Sequence, residues 1–257
     1  MRMTRRSIMK AGMFGVAALG PVRGMIGSTF AQEGANTISS EGGEIVIHPV
    51  SHASFVLEAG DTAIYNDPVG GASAYESLPR PDLILITHEH GDHFDVETIK
   101  ALVGDGTKIV TNPAVFEMLP EELRAMAAQL ANGESTDVAG ITIEAIPAYN
   151  TTPDRLQYHP KGRDNGYLLT LGGARVYIAG DTEDIPEMRA MDDIDLAFVP
   201  MNLPYTMSVE QAASAVTEFA PKVVYPYHYR GSDAEAFKNL VEQQSGEEIE
   251  VRLAKWY

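Results

Sequence analysis

The chain contains no cysteine, so a disulfide framework, a thiolate metal site and a cysteine nucleophile are all excluded, and any metal must be held by imidazole and carboxylate. Long hydrophobic runs are also missing. The most apolar stretch near the start, Ala11 to Gly20, is interrupted by Gly15 and followed by Pro21, and is too short to span a bilayer, so stable membrane insertion is not expected. Positive charge is scarce: 19 lysines and arginines face 36 aspartates and glutamates, for a net charge of -17. A surface of that sign, without a basic patch, repels nucleic acid backbones and anionic lipid headgroups, which leaves a small molecule as the expected partner.

What is present is enough for one globular domain: 257 residues, 44% hydrophobic and 21% charged, can bury a substantial core. The first 31 residues hold five basic and no acidic side chains. Within them Thr4-Arg5-Arg6-Ser7-Ile8-Met9-Lys10, the modest apolar stretch and the small-residue ending Thr29-Phe30-Ala31 resemble a twin-arginine export signal. The resemblance implies a periplasmic or exported protein that crosses the membrane already folded. Gln32 to Gly43 is polar and rich in glycine and serine, and reads as a flexible linker ahead of a domain over residues 44–257.

From Glu44 onward, short β-branched or aromatic runs alternate with turns and helix-period segments, the pattern of a mixed sheet with helices on its outer faces. Strands are expected at 44–49, 54–58, 62–66, 83–87, 108–111, 141–146, 166–171, 175–179, 196–200, 223–225 and 251–254. Gly60-Asp61 and Gly172-Gly173 mark hairpin turns. Helices are expected at 96–103, 120–131, 208–219 and 233–244. Ser208 with Gln211 forms a capping box, and Asp233 with Ala236 a weaker cap.

The chemistry concentrates where the apolar run Leu83-Ile84-Leu85-Ile86 empties into Thr87-His88-Glu89-His90-Gly91-Asp92-His93. Imidazoles two residues apart can converge on one ion, while the following Asp and His, turned by Gly91, reach a second beside it. Mixed imidazole and carboxylate sites of this kind hold a hydroxide at neutral pH by lowering the pKa of water from about 15.7 towards 7.

His88-x-His90-x-Asp92-His93 resembles the signature of the metallo-β-lactamase superfamily, and Ala179-Gly180-Asp181-Thr182 and Pro226-Tyr227-His228 are similar to its later motifs. The resemblance covers the chain from about Glu44 onward and implies a four-layer αββα sandwich. It also implies two divalent ions, zinc first with manganese or iron(II) as alternatives. On this pattern His88 and His90 ligate the first ion, Asp92, His93 and His228 the second, and Asp181 bridges them. Ser51-His52-Ala53-Ser54 and Asn66-Asp67-Pro68 are similar to the branch that includes ascorbate 6-phosphate lactonase and the N-acyl-phosphatidylethanolamine phospholipase D-like proteins. Asp67 is then expected to orient a metal-binding imidazole, with His52 close to the site.

The sequence departs from the pattern at one place. The superfamily usually sets a further histidine on the first ion before the bridging aspartate, and here Asn150 stands there, a weaker zinc ligand than imidazole. His159 is expected either to replace the missing ligand or to act as an acid on the leaving group, and Lys161 or Arg155 to hold an anionic substrate. The expected reaction is hydrolysis of a small ester, lactone or phosphodiester by a hydroxide held by the metals, with Asp92 or Asp181 taking the proton. An iron-dependent oxidoreductase of the same fold and a non-catalytic metal-binding protein are the alternatives.

Overall fold

The computed structural model describes residues 36–246 and 248–257; the segment resembling an export signal lies outside the described residues. Two seven-stranded sheets are built in succession along the chain. The first runs β1 (Thr37–Ser40), β2 (Gly43–Ser51), β3 (Ser54–Ala59), β4 (Thr62–Asn66), β5 (Leu83–Ile86), β6 (Lys108–Thr111) and β7 (Ala127–Gln129). The second runs β8 (Ser135–Val138), β9 (Ile141–Ala148), β10 (Asp164–Leu171), β11 (Ala174–Ile178), β12 (Leu196–Pro200), β13 (Val223–Tyr227) and β14 (Glu250–Val251). Each sheet opens with four antiparallel strands and continues with parallel strands, β4 to β7 in one and β11 to β14 in the other. The two halves thus share one strand plan.

Side-chain alternation shows why the sheets stack. Leu83 and Leu85 of β5 join a core shared with Phe55, Leu57, Tyr167, Val176, Ile178 and Phe198 from both sheets, whereas Ile84 and Ile86 face the other way. That second face packs against α1 (Val96–Leu102) and α2 (Pro113–Met118) through Ile99, Leu102 and Val115. All four β5 residues are fully buried, so each contributes about 1.5–3 kcal/mol of apolar burial, and the strand is fixed from both sides. On the second sheet Tyr177, Ala197, Val199 and Val224 pack with Met188 of α4 (Pro186–Arg189) against α5 (Val209–Phe219) and α6 (Ala234–Ser245). The order of layers is helix, sheet, sheet, helix, the expected αββα sandwich. The capping box at Ser208 and the cap at Asp233 both form.

Three local expectations are corrected. The helix expected at 120–131 stops early: α3 spans only Glu121–Arg124, and Ala127–Gln129 pairs with Ile109–Thr111 as β7. An unfilled edge of the parallel sheet outweighs the helix propensity of Ala, Met and Gln there. The linker expected at 32–43 is in part a strand, since Thr37–Ser40 pairs with Gly43–Val46. Gly91 does not turn the chain through a left-handed conformation, and a Cβ there would meet nothing within 4 Å. The turn is made by the His90 carbonyl, which accepts the N–H groups of His93 and Phe94 at 2.9 Å each. Among the described residues no helix is long and apolar enough to cross a membrane.

Candidate metal centre

The carboxyl ends of the parallel strands, and the loops joining β2 to β3 and β9 to β10, bring the candidate residues together. Asp67 follows β4, His88 to His93 follow β5, Asp181 follows β11, and His228 follows β13. His52, Asp67 and His228 have φ of 53, 43 and 45 degrees, a left-handed backbone that costs a non-glycine residue energy and here re-aims each side chain at the end of its strand. The His228 N–H donates to the His52 carbonyl (3.1 Å) and ties the two sheets together at the site.

Three neighbouring groups of donor atoms result. His88, His90 and His159 form one, with ligand atoms all within 4.8 Å of one another; His88, His93 and Asp181 form a second, and His52, Asp92 and His228 lie next to it. Asp181 links them: its carboxylate lies 3.5 Å from His93 Nε2, 3.5 Å from His159 Nε2 and 3.4 Å from His228 Nε2. Of the two expectations for His159, its position favours the replacement ligand: it is fully buried, and its ring centroid is 4.9 Å from both His88 and His90. Asn150 does not point a donor at the cluster. Its side chain accepts the His159 N–H (3.0 Å) and donates to the Tyr205 carbonyl (2.8 Å), holding the loop that delivers His159.

Hydrogen bonds behind the clusters set the ring orientations. Asp67, wholly buried, accepts from His93 Nδ1 (2.9 Å), the Thr87 hydroxyl (2.7 Å) and the Thr87 N–H (2.7 Å). The Thr87 oxygen in turn accepts from His88 Nδ1 (3.0 Å). One carboxylate therefore orients both His93 and His88. With its Nδ1 proton given to Thr87, His88 presents an Nε2 lone pair to His90 Nδ1 only 3.0 Å away. On the other side Asp164 accepts from His159 Nδ1 (2.9 Å) and is itself gripped by Arg163 (2.6 Å). His93 Nε2, His159 Nε2, His228 Nε2 and one Asp181 oxygen remain buried without hydrogen-bond partners. Orphaned lone pairs converging on a carboxylate are what a divalent cation satisfies, so the residues present fit metal ions.

Burial drives His88 well below the usual histidine pKa and lowers His90, keeping both rings neutral as ligands must be. His93 moves the opposite way: burial lowers it, but Asp181 and Asp67 outweigh that and push it up to about 9. Asp181 and Asp92 are also penalised by burial. The charges of His228, His93 and His159 hold Asp181 below the carboxylate range, and the His228 ring 3.6 Å away together with the hydrogen bond from His52 does the same for Asp92.

The clusters floor a cavity of about 530 Å³ lined also by Tyr158, Asn202, Tyr205 and Arg230. The two cations expected to hold a substrate are elsewhere: Lys161 pairs with Glu187 (3.1 Å) and the Tyr149 hydroxyl (3.0 Å), and Arg155 with buried Glu183 (2.9 Å). Neither lines the cavity. Thr87, Asp164, Glu183, Arg230 and Tyr257 were not singled out in the sequence. Thr87 had a signal in its place directly before the histidines; the others act through distant contacts that spacing does not reveal.

Residues 46–228 match the family model described as a beta-lactamase superfamily domain. The chain belongs to the metallo-β-lactamase superfamily. It falls among that superfamily's metal-dependent hydrolases. It is 32% identical over 224 residues to a UPF0173 metal-dependent hydrolase of Pyrococcus abyssi, covering 79% of this chain and 97% of the relative. A crystal structure from Parabacteroides distasonis, described as a metal-dependent hydrolase, is 42% identical, with a TM-score of 0.78 over 86% of this chain and 98% of that one. A metallo hydrolase from Ignicoccus hospitalis is 26% identical, with a TM-score of 0.68 over 82% of this chain and 95% of that one.

Proposed function

We propose that the protein hydrolyses a small ester, lactone or phosphodiester at a two-metal centre. The observation that carries this reading is the convergence of three buried or half-buried imidazoles, His88, His90 and His159, on one side of Asp181, with His93, His228 and Asp92 on the other. His88, His90 and His159 would hold the first ion, Asp92, His93 and His228 the second, and Asp181 both. Two imidazole and carboxylate sites of this kind suit zinc, with manganese and iron(II) next. Bound there, such ions supply Lewis acidity and lower the pKa of water enough to attack at neutral pH.

The protein's own side chains do the rest. Asp92 is the carboxylate most open to the cavity, with half of its side chain exposed. The hydrogen bond from His52 and the nearby His228 ring keep it ionised, so it would accept a hydrogen bond from a water in the cavity and aim it. His52 Nε2 donates to Asp92 (3.1 Å) while its Nδ1 accepts from the Tyr257 hydroxyl (2.7 Å), which fixes the ring. The cavity size suits a small molecule. Export through the Arg5-Arg6 segment to the periplasm or beyond belongs to the same reading.

The test is elemental analysis of the folded protein with His90→Ala and His159→Ala, together with hydrolysis of a mixed ester, lactone and phosphodiester panel. Near two zinc or manganese ions per chain, reduced in both variants along with hydrolysis, is the expected result. Iron without hydrolysis, or no stoichiometric metal, would overturn it.

A further inference from the structure

Resting on that hydrolase reading, we propose that Arg230 selects the substrate by binding an anionic group, a carboxylate or phosphate, remote from the bond that is cleaved. The apolar remainder lies against Tyr158 and Tyr205. Arg230 is the one lysine or arginine lining the cavity among the described residues. Other cations close to the site are already engaged: Arg155 with Glu183, Lys161 with Glu187, and Arg163 with Asp164 and Glu89. Arg230 has no carboxylate partner among the described residues, although the chain carries nearly twice as many acidic as basic side chains. An arginine left unpaired beside a site in so acidic a protein is available to an incoming anion.

Its position beside the site has an aromatic support. The guanidinium lies 5.5 Å from the centroid of the Tyr257 ring. Tyr257 is anchored through its hydroxyl, which accepts the Tyr229 N–H (3.1 Å) and donates to His52 Nδ1 (2.7 Å). The same tyrosine therefore supports the arginine and the histidine bonded to Asp92. Two further tyrosines line the cavity, Tyr158 and Tyr205, edge to face with centroids 5.0 Å apart. Leu156 and Leu203, next but one along the same two loops, are exposed. Asp92 and Asp181 alone would repel an anion; a planar fork of donors counters this and reads carboxylate or phosphate geometry.

Binding to zinc-loaded wild-type protein, Arg230→Gln and Arg230→Lys is measured by calorimetry with benzoate, phenyl phosphate and benzamide, at equal metal content and with melting temperatures compared. Both anions should bind the wild type and weaken about tenfold or more in Arg230→Gln, with partial recovery in Arg230→Lys and no change for neutral benzamide. Loss with only one anion assigns the site to carboxylate or to phosphate. Equal anion affinity in wild type and Arg230→Gln, or no anion binding to the wild type, overturns the proposal. Because the readout is binding, failure of hydrolysis would count against the enzyme reading and leave this result separately legible.

Discussion

Asn150 and His159 hold each other by a reciprocal pair of hydrogen bonds: the Asn150 N–H donates to the His159 carbonyl at 2.8 Å, and the His159 N–H donates to the Asn150 side-chain oxygen at 3.0 Å. The residue that stands where a ligand was expected thus positions the proposed ligand His159 nine residues on. Asn150→Ala should weaken metal binding 10- to 100-fold, the usual cost of losing a group that orients a ligand, while the protein stays folded. Competition with a chromophoric chelator measures it; an unchanged affinity would mean that the loop holds His159 without Asn150.

Glu183 anchors the same loop. It is fully buried and accepts from the backbone of Thr151 and Thr152 (2.6 Å each), from their hydroxyls and from Arg155. Burial raises its pKa, and those hydrogen bonds outweigh burial and leave it below the usual glutamate value. Glu183→Gln should cost about 3 kcal/mol in denaturant unfolding, by analogy with other broken buried pairs, and lower metal affinity through His159. A loss under 1 kcal/mol would show that the loop is held mainly elsewhere.

Gly180 precedes Asp181 with φ of 65 degrees, and a Cβ there would lie 2.6 Å from the Asn165 carbonyl oxygen. Gly180→Ala should therefore combine a left-handed strain of about 1 kcal/mol with a clash that displaces Asp181. Metal stoichiometry should fall more than thermal stability does. Full occupancy by two ions in this variant would contradict the central position given to Asp181.

The metal-free protein should be most stable near neutral pH. His93, raised to about 9 when folded, contributes stability that is complete below its unfolded pKa of about 6.5 and lost as pH rises through about 9. The shift corresponds to about 3 kcal/mol. His88, lowered by burial, works oppositely: its contribution is present above about 6.5 and lost as pH falls. Melting of chelator-treated protein across pH 5 to 10 should trace a dome. Asp67→Asn should bring the alkaline decline to lower pH, because Asp67 helps raise His93.

Replacing Arg5 and Arg6 together by lysine should leave the protein inside the cell, as judged by fractionation. Undiminished export would exclude the twin-arginine route.

Much of the architecture was legible because buried strands carry an unambiguous pattern. The apolar run before His88 announced a strand buried on both faces, and Gly60-Asp61 and Gly172-Gly173 announced hairpins that form between β3 and β4 and between β10 and β11. Polar edge strands such as β8, Ser-Thr-Asp-Val, announce nothing, since their only support is the neighbour they pair with. In the site, contiguous residues were visible and loop-borne ones were not. Lys161 and Arg230 are both basic residues close to candidate ligands in sequence, and only the fold shows that the first turns to Glu187 and the second to the cavity.

The repetition of one strand plan in two sheets has a consequence for how the protein assembles. Each sheet can organise its own hairpins, yet neither possesses a complete donor set, because the first supplies His88, His90 and His93 and the second His159, Asp181 and His228. Metal capture should therefore follow docking of the two halves and act as a clasp across their seam. Bound ions should suppress local opening at the strand ends that carry the ligands, so hydrogen exchange at the strand ends of both sheets should collapse towards the single rate of global unfolding when metal is added.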